Sequence, residues 1–173
     1  GGRVAQRRKV PMVSPSSTNP KVTQVGDYIF RVCFLDPFQG KVMADFTRDH
    51  LKLDQVAILK DVKNDYSIGL ADAFRSAFTA RGGKISVEQS YSQGDTDFSA
   101  QITSIKASGA QALYVPGYYA EVGAIARTAQ RLGLKVPLMG GDGWDAPGLF
   151  EIAGDALEGG AEGADDHVEG GGH

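Results

Sequence analysis

The chain has 173 residues, 42% hydrophobic and 23% charged, with a net charge of −3. This is the composition of a globular protein able to build one ordinary core, and its mild acidity argues against nucleic acid as the main partner. No apolar run approaches the roughly 18–20 residues of a membrane span, and the single Cys33 excludes an internal disulfide or a CxxC motif.

The opening "GGRVAQRRK" is polar and basic without the apolar centre of a signal peptide. Residues 4–9 read as the end of a helix running into a strand, "KVPMVS", so the start of the chain looks cut. Ser14, Ser16, Ser17 and Thr18 follow that strand with Asn19 and Pro20. Three readings are open for this run: a helix cap with Pro20 in the first turn, a phosphate cradle, or the polar lip of a ligand site. "DYIFRVCFL" (27–35) reads as the next strand, apolar on both faces and normally covered on both. Cys33 within it reads as a small buried hydrophobe. Asp36, Pro37 and Gly40 read as breakers, with a helix from about Gln39 to Leu51.

A regular alternation follows. "QVAILKD" (55–61) reads as a buried strand, 66–83 as a helix ended by Gly82 and Gly83, and "KISVEQSY" (84–91) as a strand. A helix is predicted over 98–109, capped by Asp97, and a strand over 111–118. A helix over 120–133, a strand over 136–140 and a helix over 147–157 started by Pro147 complete the series. Strands alternating with helices imply βαβ units: an α/β fold with a doubly wound parallel sheet. After Leu157 the glycine-rich acidic run "EGGAEGADDHVEGGGH" cannot bury enough apolar surface to offset its chain entropy and reads as a disordered tail.

Ligands of open parallel sheets bind beyond the carboxyl ends of the strands. The residues that follow the predicted strands are Ser14–Thr18, then Asp61 and Tyr66, then Gly117 and Tyr118, then Gly141, Asp142 and Trp144. Together they suit a small polar ligand with an ammonium group and an apolar side chain. Structural readings stand beside this one: Tyr66 and Tyr118 as half-buried core residues, Asp142 as a turn or cap. "GDGWDA" (141–146) fits a loose glycine-rich phosphate motif, but Asp142 would repel a pyrophosphate. His50 falls inside a helix, away from the site-bearing loops. Asp165, Asp166, His167 and Glu169 have no scaffold to fix a metal's geometry. No enzyme constellation, metal or cofactor is implied.

"VPMVSPSSTNPKVT", "FRVCFLDPFQG", "NDYSIGLADAF", "GDTDFSAQITSIKASGAQALYVPGYYAEVGAIARTAQRLGL" and "PLMGGDGW" resemble, in order and spacing, the branched-chain amino acid (Leu/Ile/Val) type of periplasmic solute-binding protein that feeds ABC importers. The likeness runs from about Val10 to Gly159. It implies a flavodoxin-like lobe of a two-lobed, non-catalytic binding protein that works in the periplasm with an ABC permease and traps an amino acid between its lobes. Ser16, Ser17 and Thr18 match the first-lobe loop that holds the ligand's α-carboxylate. Tyr66 and Tyr118 match second-lobe cleft residues, and Asp142 matches the acidic position that pairs with the α-ammonium. Phe38 falls near where the second lobe opens onto the cleft. Residues 1–40 then read as a remnant of the first lobe with the hinge strand, 41–158 as the ligand-binding lobe and 159–173 as the tail.

Most of the first lobe has no counterpart in the chain. The alternative is therefore a single-lobe structural domain that no longer binds. Losing three or four hydrogen bonds to charged groups, at about 1.5 kcal/mol each, weakens binding by several decades. A flavodoxin-type nucleotide binder shares the fold, but fold alone does not argue for it. The apolar strand 27–35, and "RKVPMVS" without a partner of its own, further predict a homodimer through residues 10–35.

Overall fold

The structure, a computed structural model, describes residues 1–157. The glycine-rich tail and the Asp165–Glu169 cluster lie outside the described residues. A short helix α1 (Gly2–Arg8) leads to strand β1 (Met12–Ser14), which pairs in parallel with β2 (Ile29–Arg31) in a two-stranded sheet. The N-terminal strand segment therefore does have a partner, contrary to expectation. Between the two strands Pro20–Val25 forms a 3-10 helix.

The rest is a four-stranded parallel sheet, ordered β4-β3-β5-β6, made of β3 (Gln55–Asp61), β4 (Lys84–Tyr91), β5 (Ala112–Tyr114) and β6 (Leu138–Met139). Side chains of a strand alternate between faces, and β3 divides accordingly. Val56 and Ile58 enter a core with Leu70, Phe74 and Phe78 of α3 (Asp65–Ala80) and Ala44 of α2 (Asp36–Asp49). Ala57 and Leu59 enter a second core with Phe98, Ile102 and Ile105, and with Val122 and Ile125 of α5 (Tyr119–Arg131). Ile102 and Ile105 belong to α4 (Ser99–Ala107), and α6 (Gly148–Ala153) packs beside α5. Helices on both faces of a parallel sheet confirm the doubly wound α/β arrangement.

Several boundaries differ from expectation. The strand expected over 27–35 is three residues long, and Cys33 is half-buried rather than buried. Helix α2 starts at Asp36 and Pro37 rather than at about Gln39: a proline's fixed φ and missing N–H suit a first helical turn. Gly40 lies within α2, where the helices nearly touch. A Cβ there would stand 2.6 Å from both the Ala73 Cβ and the Phe74 backbone nitrogen. One helix, α2, runs through residue 40. Asp97 accepts from the Ser99 N–H at 3.0 Å, but the residue in the cap position is Phe98. Strands β5 and β6 are shorter than their apolar runs, and helix 147–157 changes to 3-10 turns at Gly154. No helix of the described residues is long and apolar enough to cross a membrane.

Candidate functional site

All strands of the four-stranded sheet run the same way, so the loops after β3, β5 and β6 gather at one end of it. The loop after β1 is brought to the same place. Ser14 Oγ accepts from the Ser17 N–H at 3.0 Å and donates to Ser17 Oγ at 2.7 Å, which bends the chain immediately beyond the strand. Asn19 caps the 3-10 helix through Oδ1, accepting from the Lys21 N–H at 3.0 Å with Pro20 in the first turn. Its Nδ2 donates to the Asp65 carbonyl at 2.9 Å, tying the loop to the start of α3. The Arg31 guanidinium pins the loop from beneath, donating to the Ser17 and Pro20 carbonyls at 2.6 and 3.1 Å. The run after β1 is thus a helix cap and a cleft wall at once.

A cleft of about 480 Å3 lies between this loop and the sheet's end, and six of the seven residues singled out from the sequence line it: Ser16, Ser17, Thr18, Tyr66, Tyr118 and Asp142. Phe38 does not line it; its side chain, 62% exposed, projects from the first turn of α2. Trp144 is also absent from the wall: its indole N–H donates to the Val115 carbonyl at 3.0 Å and its ring packs against the second core. Asp61 ends β3, and its Oδ1 holds the turn that follows by accepting from the Lys63 N–H at 2.8 Å.

Asp142 is held firmly. Its Oδ1 accepts from the Tyr66 hydroxyl and from Gln39 Nε2, each at 2.8 Å, while its own N–H donates to Gln39 Oε1 at 3.1 Å. Among the described residues no donor engages Oδ2, so one carboxylate oxygen stays available. The Tyr66 oxygen accepts in turn from the Gly143 N–H at 3.1 Å, and its ring stacks on Tyr118 with centroids 5.1 Å apart. Gly143 is required by close approach: a Cβ there would stand 2.6 Å from the Gly117 carbonyl oxygen. Burial pushes the Tyr66 phenol far above its ordinary range, and its hydrogen bond to Asp142 adds to this, so it remains a donor. Burial raises the Tyr118 phenol too, with the Asp142 charge as the second cause.

Sequence reasoning missed Gln39 and Arg31, while Asn19 takes the cap position that the sequence suggested. Gln39 lies 103 residues from Asp142, and no local pattern marks that pairing. In chemical terms the cleft offers hydroxyls on one wall, an anchored carboxylate on the other and two aromatic rings between.

Comparison with known proteins places this geometry in a lineage. Residues 2–162 match the periplasmic binding protein family. The chain belongs to that family. Among curated relatives, the Leu/Ile/Val-binding protein homolog 3 of Brucella melitensis is 37% identical over 158 residues, covering 90% of this chain and 42% of its own length. The leucine-, isoleucine-, valine-, threonine- and alanine-binding protein of Pseudomonas aeruginosa is 37% identical over 87% of this chain and 40% of its own. Among solved structures, the leucine-binding protein LivK of Thermotoga maritima superposes with a TM-score of 0.87 at 44% identity, over 90% of this chain and 44% of its own. LivJ of Streptococcus pneumoniae, solved with isoleucine, gives 0.80 at 35% identity, over 87% of this chain and 42% of its own. This periplasmic binding protein chain thus spans about two fifths of the length of such relatives.

Proposed function

We propose that the chain is an amino-acid-binding lobe of a periplasmic solute-binding protein, taking a neutral amino acid of the branched-chain type without chemical change. The observation that carries this is the meeting of the Ser16–Thr18 loop and Asp142 across one cleft. Hydroxyl and backbone donors on one wall suit an α-carboxylate. The free Oδ2 of Asp142 suits an α-ammonium, and the aromatic rings leave an apolar path for the side chain. The relatives named for leucine, isoleucine and valine, and LivJ with its isoleucine, support the ligand class. In this reading the protein works in the periplasm and delivers its ligand to an ABC permease.

The test is calorimetry with leucine beside two truncated analogues, leucinamide without the carboxylate and isocaproate without the ammonium. Leucine is expected to bind in about the millimolar range, and each analogue at least about tenfold more weakly, since each loses charge-assisted hydrogen bonds worth about 1.5–3 kcal/mol. Equal heats for all three would overturn the two-charge reading.

A second copy of the chain is the partner that suits the N-terminal sheet. One face of β1 and β2 is covered, with Ile29 4% exposed, while Val13, Phe30 and Val32 stand 56%, 50% and 76% exposed on the other side and beyond it. An apolar sheet face with open edges invites pairing. Light scattering at micromolar concentration is expected to give twice the 18.3 kDa chain mass. Val13→Asp with Phe30→Lys is expected to return it to the monomer value. A monomeric parent chain would contradict the dimer.

A further inference from the structure

The acid of the cleft sits on an exposed turn, and a side chain from outside the cleft fixes its direction. Asp142 opens the 3-10 turn Asp142–Trp144 and is itself exposed. The first N–H groups of a helical turn have no partner within it, and a short exposed side chain samples several staggered rotamers. Gln39, half-buried in the first turn of α2, removes both freedoms at once. Its Oε1 accepts from the Asp142 N–H at 3.1 Å, and its Nε2 donates to Asp142 Oδ1 at 2.8 Å. A side-chain amide carries a donor and an acceptor side by side on one plane. Here the N–H and the carboxylate of a single residue decide which way round that plane lies. The Tyr66 hydroxyl donates to the same Oδ1 at 2.8 Å, so Oδ2 is left for the cleft that Asp142 lines. Gly141 makes room for this clamp: a Cβ there would stand 2.8 Å from the Tyr66 hydroxyl oxygen and 2.9 Å from Gln39 Oε1. Gln39 itself does not line the cleft, so its influence on a ligand passes through Asp142. The same turn of α2 reaches the opposite wall, where the Asp36 N–H donates to the Thr18 carbonyl at 3.1 Å.

We propose that Gln39 is a positioning residue that holds Asp142 in the orientation that pairs with a ligand's α-ammonium, before any ligand arrives. The proposal rests on the amino-acid reading above. A binding group that is in its competent orientation only part of the time weakens binding by that fraction. Tyr66 alone does not fix the acid, since one hydrogen bond leaves the carboxyl free to turn about that contact. Releasing Asp142 among about three staggered rotamers therefore costs about threefold in affinity. The loss is confined to ligands that carry an ammonium. A ligand without one meets the Ser16–Thr18 wall and does not register where Oδ2 points.

Gln39→Met keeps the length and the helix preference of the side chain but neither hydrogen bond. Amide NMR titrations of this variant and the parent chain with leucine, leucinamide and isocaproate test the proposal. Leucine and leucinamide, which both carry the ammonium, are each expected to lose about threefold in affinity relative to the parent. Isocaproate, which lacks it, is expected to bind the variant as it binds the parent. A residue that merely supports the fold would not separate these ligands. Gln39→Ala serves if Gln39→Met does not fold. Equal losses for all three ligands, leucine affinity equal to the parent's, or two variants that do not fold overturn the proposal and leave the amino-acid reading standing. A parent chain without a leucine response overturns the amino-acid reading and the proposal with it.

Discussion

Asp142→Ala is expected to weaken leucine binding by about tenfold to a hundredfold or more, the loss of at least one ionic hydrogen bond of about 1.5–3 kcal/mol. The carboxylate is the anionic group that both Gln39 and Tyr66 hold in the cleft wall, through Oδ1 alone. Without it an α-ammonium loses its counter-charge, and the Tyr66 hydroxyl, kept protonated by burial, presents a donor to another donor. Asp142→Asn separates charge from shape. The asparagine oxygen still accepts from Gln39 and Tyr66, so the cleft keeps its form while the charge is gone. It is expected to fall nearly as far as alanine in calorimetry with leucine, with little change in melting temperature. Parent-like affinity in Asp142→Asn would show that Asp142 does not pair with the ligand.

Phe74→Ala is expected to destabilise the fold by about 3–5 kcal/mol, a large part of the roughly 5–15 kcal/mol that holds a domain together. Phe74 is fully buried and lies between Phe78, its centroid 5.3 Å away in the same helix, and Tyr114 of β5 at 4.2 Å. It is the side chain through which α3 grips the sheet. Its removal opens a cavity that two rings on a fixed strand and helix cannot close. Urea unfolding measures this as a fall in midpoint at constant slope. A loss below about 1 kcal/mol would mean that the core around α3 collapses into the space, against the packing described here.

Strands β3 and β4 are legible in the sequence to the residue. "QVAILKD" is a buried central run, and "KISVEQSY" ends where the chain meets its loop. The short strands are less legible because burial outlasts pairing. Val115 is fully buried like Ala112 to Tyr114, but its carbonyl goes to the Trp144 indole instead of the neighbouring strand. Residues 27–35 look uniformly strand-like, yet only Ile29–Arg31 join β1, since the start of α2 takes over at Asp36.

The cleft residues are legible because parallel topology gathers strand ends at one place. The resemblance supplies their roles, which composition alone leaves open. Phe38 shows the limit of position without geometry: it neighbours Gln39, which reaches Asp142, but its own side chain lies outside the cleft. Asp36, a strand breaker by sequence, is the first residue of α2, and only the packed structure shows that its carboxylate is buried without a hydrogen-bond partner.

The most direct test of the amino-acid clamp is a titration of the 15N-labelled chain with leucine at about 1–10 mM, the range set by a weak single-lobe site. The account predicts saturable amide shifts confined to the two walls: Ser16, Ser17 and Thr18 on one, Tyr66, Asp142 and Gly143 on the other. Shifts on only one wall, or shifts scattered over the surface without saturation, would contradict it.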